Sequence, residues 1–163
     1  MSTPILFLDF DGVIRVAAGM DGTHPQWRGK KIKALAGLCE QAGARIVVIS
    51  HLRLTMRAAD ILGCVGLRLG GLFHKIWATA PSAFGIRAQD VEQWLCDHGE
   101  GVNHFAIIDD EARHYDGAPI EIRDRLILCN SRFGFQPEKQ GRQLLKLLGC
   151  EPSSCDQGEL ELE

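Results

Sequence analysis

The chain has 163 residues, which is enough for one domain and too few for several, since a domain takes roughly 100–200 residues. With 45% hydrophobic and 24% charged residues, its composition is that of a globular protein, which excludes disordered and fibrous classes. Its net charge of −3 excludes nucleic-acid binding through a positive field over the whole surface, so any such contact requires a local basic patch.

The start of the chain and its cysteines bear on cellular location. Residues 1–4 carry no basic side chain, and the apolar run at 5–8 is too short for a signal peptide or a membrane span. The 6 cysteines include no CxxC pair, which favours buried, reduced thiols over zinc ligands or a disulfide framework. We therefore expect a cytoplasmic protein without membrane contact.

Apolar runs and helical periodicity alternate along the chain. Continuous apolar runs predict strands buried on both faces, as in a parallel sheet, at residues 5–8, 46–49, 105–108 and 126–129. Helical spacing of apolar residues predicts helices at 32–42, 53–62, 91–98 and 144–148, each followed by glycine. Residues 65–81 and 112–122 read as irregular. The alternation predicts an α/β fold with one doubly wound parallel sheet flanked by helices.

Polar residues follow three of the predicted strands directly. The first strand is followed by Asp9-Phe10-Asp11-Gly12-Val13, the second by Ser50, and the third by Asp109-Asp110. The carboxyl ends of parallel strands meet at one edge of the sheet. Carboxylates gathered there would repel each other without a cation, and oxygen ligands of this kind suit Mg²⁺. The predicted metal ligands are Asp9, Asp11, Asp109 and Asp110.

These motifs carry a family resemblance. The run Leu8-Asp9-Phe10-Asp11-Gly12-Val13 resembles the first motif of the haloacid dehalogenase (HAD) superfamily, and Ser50 and Asp109-Asp110 resemble its second and fourth. The segments Ser50-His51-Leu52-Arg53 and 87–95 further resemble runs in the HAD domains of Swiss Army Knife RNA repair proteins. The resemblance implies a HAD-type, Rossmann-like catalytic domain over residues 1–150, followed by an acidic, flexible tail at 151–163.

The resemblance also implies roles for individual residues. Asp9 would be the nucleophile that forms an aspartyl-phosphate, and Asp11 the general acid and base. Ser50 would bind the phosphoryl group or cap the following helix. Arg87 is the preferred cation beside the nucleophile, with Lys75 as the alternative. The remaining predicted substrate contacts are Gly12, His51 and Arg53.

Superfamily members often carry a cap domain, but the intervals 9–50 and 50–87 are too short to hold a substantial one. We therefore expect no substantial cap and an open site. The implied function is a Mg²⁺-dependent phosphomonoesterase, with nucleic-acid or nucleotide phosphate ends as one substrate class. The alternatives are a small-metabolite phosphatase and a non-catalytic phosphate-binding protein. A phosphate-backbone patch or a solvated helix face would explain the basic residues Arg15, Arg28, Lys30, Lys31 and Lys33.

Overall fold

The computed structural model describes residues 2–18 and 24–151. Five strands form one parallel sheet, in the spatial order β5-β4-β1-β6-β7. A separate antiparallel hairpin pairs β2 with β3. The strands are β1 (Ile5–Leu8), β2 (Arg15–Ala18), β3 (His24–Trp27), β4 (Arg45–Val48), β5 (Phe73–Ala78), β6 (Phe105–Asp109) and β7 (Leu126–Leu128).

Helices cover both faces of the sheet. They are α1 (Gly29–Ala42), α2 (Ala58–Gly70), α3 (Arg87–His98), α4 (Ile120–Arg123) and α5 (Pro137–Leu147). Alternate residues of β1 point to opposite faces, so Leu6 and Leu8 pack in the core with α1, α2 and α5. Ile5 and Phe7 pack in a second core with α3 and α4. The predicted doubly wound α/β fold is confirmed.

The register of the three central strands brings their carboxyl ends level. Leu8 pairs with Val48 on one side and with Ile108 on the other. The Asp9 amide donates to the Ile108 carbonyl at 3.0 Å, and the Ile49 amide to the Leu8 carbonyl at 3.0 Å. The residues that follow β1, β4 and β6 therefore lie side by side at one edge of the sheet, as the sequence predicts.

Within the described residues, the only β insertion between β1 and α1 is the hairpin of β2 and β3. It leads into α1, and the Arg28 amide that follows it donates to the Ile14 carbonyl at 2.8 Å. The interval between Ser50 and Arg87 is occupied by a short 3-10 turn, α2 and β5. The prediction of a small single domain without a substantial cap is confirmed for this part of the chain.

Several local predictions differ from the structure. Helix α5 begins at Pro137, well before the helix predicted at 144–148. Instead of a helix at 53–62, a 3-10 turn (His51–Leu54) precedes α2, which runs past Gly63 and kinks at Gly66, where φ is 84°. The segment predicted as irregular after residue 65 contains β5, an edge strand whose half-exposed pattern hides its strand character. Residues 112–122 form a 3-10 turn (Ala112–Tyr115) and the one-turn α4.

Two further predictions concern the ends and the membrane. Of the predicted tail at 151–163, residues 152–163 lie outside the described residues. None of the described helices combines the length and the apolar character that crossing a bilayer requires.

Candidate active site

Asp9 follows β1 and is the central carboxylate of the site. Its side chain is 1% exposed. One carboxylate oxygen, Oδ2, accepts a hydrogen bond from Arg87 Nη1 at 3.0 Å, while the buried Oδ1 has no hydrogen-bond partner among the described residues. Because a buried charged oxygen without a partner is costly, this atom marks a position for a cation or a reacting group.

Arg87 is the first residue of α3 and joins two of the strand ends. Its Nη1 lies 3.0 Å from Asp9 Oδ2 and 2.7 Å from Asp109 Oδ1, and its side chain is 14% exposed. Lys75, the alternative cation, is exposed on the edge strand β5 and does not line the cleft at the strand ends. The structure brings Arg87, and not Lys75, to Asp9, the predicted nucleophile.

Asp109, the last residue of β6, is held by three donors. Its Oδ1 accepts from Arg87 and from the Glu111 amide at 3.0 Å, and its Oδ2 accepts from the Tyr115 hydroxyl at 2.7 Å. Tyr115 was not predicted as a site residue, since it lies in a segment that reads as loop. The sequence indicates this residue only weakly, through a tyrosine that follows the strand-end aspartates Asp109 and Asp110 by a few residues.

Asp110 lies against Gly12. Gly12 has φ of +77°, and a Cβ built on it would be 2.0 Å from Asp110 Oδ2, so this position requires glycine both for backbone conformation and for space. Asp9, Asp109 and Asp110 each offer an oxygen within 4.8 Å of the other two. Three carboxylates at this spacing, one with an unpartnered buried oxygen, fit a hard divalent cation such as Mg²⁺.

Asp11, the fourth predicted ligand, is not part of that cluster. Its Oδ1 lies 2.5 Å from Arg15 Nη1, and its side chain is 49% exposed at the mouth of the cleft. The backbone turn at Gly12 explains the difference. Beyond the end of β1 the chain is no longer extended, so residues two apart need not share a face.

Burial and mutual repulsion perturb the acidic cluster. Burial, with the Asp109 charge adding to it, raises the pKa of Asp9 to about 8, although Arg87 acts in the opposite direction. Burial also raises the pKa of Asp110. Burial beside Asp109 raises the pKa of Tyr115 well above its usual value, so that its hydroxyl stays a donor. A divalent cation would favour the ionised carboxylates.

Ser50 and His51 follow β4. Ser50 is fully buried, and its Oγ accepts from the Leu52 amide at 3.3 Å, so it caps the 3-10 turn and not the predicted long helix. His51 is exposed and lines the cleft.

Arg53, a predicted substrate contact, makes hydrogen bonds inside the protein. It donates to the backbone carbonyls of Thr79, Ile49 and Ser50 at 2.7–2.9 Å. Its Nη2 donates to Asp90 Oδ2 at 2.9 Å. Its side chain is only 5% exposed. These contacts indicate that Arg53 positions the loops around the cleft.

Asp90 is a site residue that sequence reasoning missed. Its side chain is 1% exposed and pairs with Arg53, while its Oδ1 accepts from the Ser82 amide at 2.6 Å. Its signal in the sequence is an acid next to the apolar residues Val91 and Trp94 of α3, on a helix face that faces the core.

The side chains at the strand ends surround a cleft of about 330 Å³. Acidic groups lie at its base, and Arg87 beside them gives it one strong anion-binding group. His51 and His114 are on its walls. The arrangement combines a carboxylate cluster that could hold a metal ion with an arginine at the buried Asp9 carboxylate, which suits chemistry on a phosphate ester.

Comparison with known proteins agrees with this geometry. Residues 5–139 match the family model described as HAD domain in Swiss Army Knife RNA repair proteins. Neither a curated protein nor a solved structure matches the sequence. The matched region runs from β1 into α5 and includes every residue of the candidate site.

Proposed function

This chain belongs to the family of HAD domains in Swiss Army Knife RNA repair proteins, and we propose that it is a Mg²⁺-dependent phosphomonoesterase acting through an aspartyl-phosphate on Asp9. The observation that carries the proposal is the Asp9 carboxylate: it is buried at a strand end, with one oxygen held by Arg87 and the other unpartnered.

Asp9 and Asp110 are the residues we assign to the metal, with Asp109 beside them. Asp109 already accepts three hydrogen bonds, whereas Asp9 Oδ1 accepts none. Because these three donors already hold its carboxylate, we assign Asp109 the role of positioning Arg87. When bound, Mg²⁺ would neutralise charge on the phosphoryl oxygens and on the carboxylates.

In the first step, an Asp9 oxygen attacks phosphorus and the bond from phosphorus to the leaving oxygen breaks. Asp11, at the mouth of the cleft, gives a proton to that oxygen, so the leaving group departs as an alcohol. Arg87 stabilises the developing negative charge on the phosphoryl group. The products of this step are the alcohol and the Asp9 aspartyl-phosphate.

In the second step, Asp11 accepts a proton from water as the water oxygen attacks phosphorus. The bond from phosphorus to the Asp9 oxygen breaks, which releases inorganic phosphate and regenerates the Asp9 carboxylate. Asp11 is exposed enough to exchange protons with solvent. The same residue thus acts as acid and then as base.

Hydrolysis of an aryl phosphate, such as p-nitrophenyl phosphate, tests the chemistry. We expect turnover that needs added Mg²⁺ after chelation and that falls at least about a hundredfold in Asp9→Asn. The exposed Asp124 lies on another part of the surface, so Asp124→Asn is the matched control. Turnover that is independent of the metal, or equal in the two variants, would refute the mechanism. Absence of turnover would favour the phosphate-binding protein.

The substrate class we propose is the phosphorylated end of a nucleic acid or a nucleotide. Among the described residues, the β2–β3 hairpin is the only β insertion between β1 and α1, and it leaves room for a bulky leaving group. Oligonucleotides phosphorylated at the 3′ or 5′ end, mononucleotides and sugar phosphates should be compared by kcat/KM. We expect the highest values for the oligonucleotides, and higher values for sugar phosphates would instead identify a small-metabolite phosphatase.

A further inference from the structure

A second groove, of about 750 Å³, shares no lining residue with the acidic cleft. The hairpin, the first turns of α1 and the segment before α5 form its walls. We call it the basic groove, after its charged and aromatic lining residues Trp27, Arg28, Lys30, Lys31, Arg132 and Phe133.

The charge of this groove is opposite to that of the whole chain. It is lined by four basic side chains and one acidic side chain, Glu138, in a chain of net charge −3. None of the four pairs with an acidic residue in the part of the chain that the structure describes. Such a local cluster attracts a polyanion.

Two of the basic side chains are held in place by the backbone. Arg28 Nη2 donates to the Ala17 carbonyl at 3.0 Å, and Lys31 Nζ to the Phe135 carbonyl at 2.9 Å. The acceptors in both contacts are backbone carbonyls, so neither contact pairs the cation with an acidic group. Lys30 and Arg132 are exposed at the rim. The groove therefore combines two cations held by backbone carbonyls with two exposed ones.

Exposed aromatic surface accompanies the charge. Phe133 is 53% exposed, and the Arg132 guanidinium lies 5.8 Å from its ring centroid. Trp27 contributes a second ring to the lining. Cations interleaved with exposed rings suit a strand that offers phosphates and stackable bases together, which is the chemistry of single-stranded nucleic acid.

Trp27, which lines the basic groove, contacts two residues that neighbour or pair with the aspartates of the acidic cleft. The Trp27 ring packs edge-on against the Phe10 ring, with 5.2 Å between the ring centroids. In the sequence, Phe10 lies between Asp9 and Asp11. Arg15 lies 5.9 Å from the same ring and also pairs with Asp11. The Arg15 side chain thus lies between Trp27 of the groove and Asp11, the proposed general acid.

We propose that the basic groove binds a single-stranded nucleic acid and directs its phosphorylated end into the acidic cleft. The second part of this statement rests on the proposed function, whereas strand binding does not. Arg28, Lys30 and Lys31 from the basic segment of the sequence line the groove, together with Arg132 and Phe133, which the sequence did not single out.

Fluorescence anisotropy with a labelled, unphosphorylated decanucleotide, in chelator, tests binding apart from catalysis. We expect saturable binding by the full chain and by Asp9→Asn. Binding of the triple variant Lys30→Ala/Arg132→Ala/Phe133→Ala should be weaker by at least about tenfold, with a shallower salt dependence. The control variant Arg123→Ala/Lys146→Ala removes two exposed cations on α4 and α5 that do not line the groove. Equal affinities of the two variants, or no saturable binding, would overturn the proposal.

Single variants separate base stacking from charge attraction. Phe133→Ala should weaken binding severalfold and Phe133→Tyr should restore it, since the ring is what stacks on a base. Inorganic polyphosphate of equal charge should compete poorly, and equal competition would contradict a nucleic-acid site. RNA and DNA of one sequence form the two arms that identify the sugar.

Aryl-phosphate hydrolysis separates this proposal from the proposed function. The triple variant should keep the wild-type rate on the aryl phosphate while its KM for a phosphorylated oligonucleotide rises about tenfold. Strand binding without aryl-phosphate turnover would refute the proposed function alone. Aryl-phosphate turnover, together with a triple-variant KM for the phosphorylated oligonucleotide equal to that of the wild type, would refute the groove proposal alone.

Discussion

Gly12 follows Asp9 and Asp11 in the loop after β1, where it lies against Asp110, the residue after β6. A Cβ at this position would meet the Asp110 carboxylate, and the backbone is in the left-handed region. Gly43 has a similar φ of +66°, but a Cβ there would meet nothing within 4 Å. Substitutions at both glycines share the cost of backbone strain, and only a substitution at Gly12 also meets the Asp110 carboxylate. Comparing the two positions therefore distinguishes backbone strain from a steric effect on the proposed metal site.

Gly12→Ala should lower thermal stability and weaken Mg²⁺ binding, because it adds the displacement of Asp110 to the backbone strain. Gly43→Ala should cost only the strain, about 1–2 kcal/mol. Melting temperatures with and without Mg²⁺ measure both effects. A Mg²⁺-induced shift that is the same in both variants would contradict the placement of Asp110 in the metal site.

Tyr115 supports Asp109 from the protein interior. Tyr115→Phe leaves the Asp109 Oδ2 atom buried without its donor, at a cost of about 1–3 kcal/mol in the free energy of unfolding. Urea denaturation measures this loss, and aryl-phosphate kinetics should show a lower kcat because Arg87 loses a well-positioned partner. If kcat and unfolding free energy both stay at wild-type values, the positioning role is wrong.

Between elements, the buried Arg53–Asp90 ion pair connects the ends of β4 and β5 to the first turn of α3. Arg53 contacts carbonyls after both strands, and Asp90 lies one turn beyond Arg87. Because α3 presents Arg87 to Asp9, this ion pair also sets the position of the proposed phosphate-binding cation.

Arg53→Met should destabilise the protein by about 3–5 kcal/mol, because it leaves the buried Asp90 charge unpaired. Its matched control is Arg68→Met, which breaks the exposed pair of Arg68 with Glu40 and should have a small effect. Urea unfolding measures the free energy of unfolding of both variants. Equal decreases in the two variants would show that the buried Arg53–Asp90 pair stabilises the fold no more than the exposed pair does.

Element prediction succeeded where one local pattern was sufficient. The strands β1, β4 and β6 are buried on both faces or nearly so, whereas β7 is a short edge strand in which Ile127 is buried and Leu128 is exposed. The apolar runs of all four strands identify them within a residue or two. The edge strand β5 is half exposed, so its sequence alternates weakly. The helix α2 continues through Gly63 because packing of Ile61, Val65 and Leu69 compensates for the glycine's low propensity.

For the whole molecule, the acidic cluster couples folding to pH and metal. Burial places the Asp9 pKa at about 8, above the 3.8 of an unperturbed carboxyl. The folded, metal-free protein therefore binds a proton that the unfolded chain releases between about pH 4 and 8. Folding stability should consequently fall as the pH rises through this window.

In chelator, the unfolding free energy of the wild type should be lower at pH 8 than at pH 5.5, and Asp9→Asn should show a smaller decrease. Mg²⁺ should stabilise the wild type more at pH 8 than at pH 5.5, because at pH 8 fewer protons must leave the carboxylates when the ion binds. At a hundredfold excess over Kd, the stabilisation is about 2.7 kcal/mol. Urea titrations at the two pH values measure this. An Asn variant with the wild-type pH dependence would contradict the assignment to Asp9.

By itself the sequence determined the doubly wound fold, the family and the convergence of Asp9, Ser50 and Asp109 at one sheet edge. The fold and the convergence follow from apolar runs and from the rule that the carboxyl ends of parallel strands meet at one sheet edge. The family follows from the resemblance of the motifs around Asp9, Ser50 and Asp109. The tertiary structure alone decided that Arg87 rather than Lys75 reaches Asp9, that Arg53 pairs with Asp90, and that Asp11 lies outside the carboxylate cluster. It also brought Arg132 and Phe133 together with Arg28, Lys30 and Lys31 in one groove. Those outcomes depend on side chains distant in sequence meeting across packed elements, and no local pattern encodes such contacts.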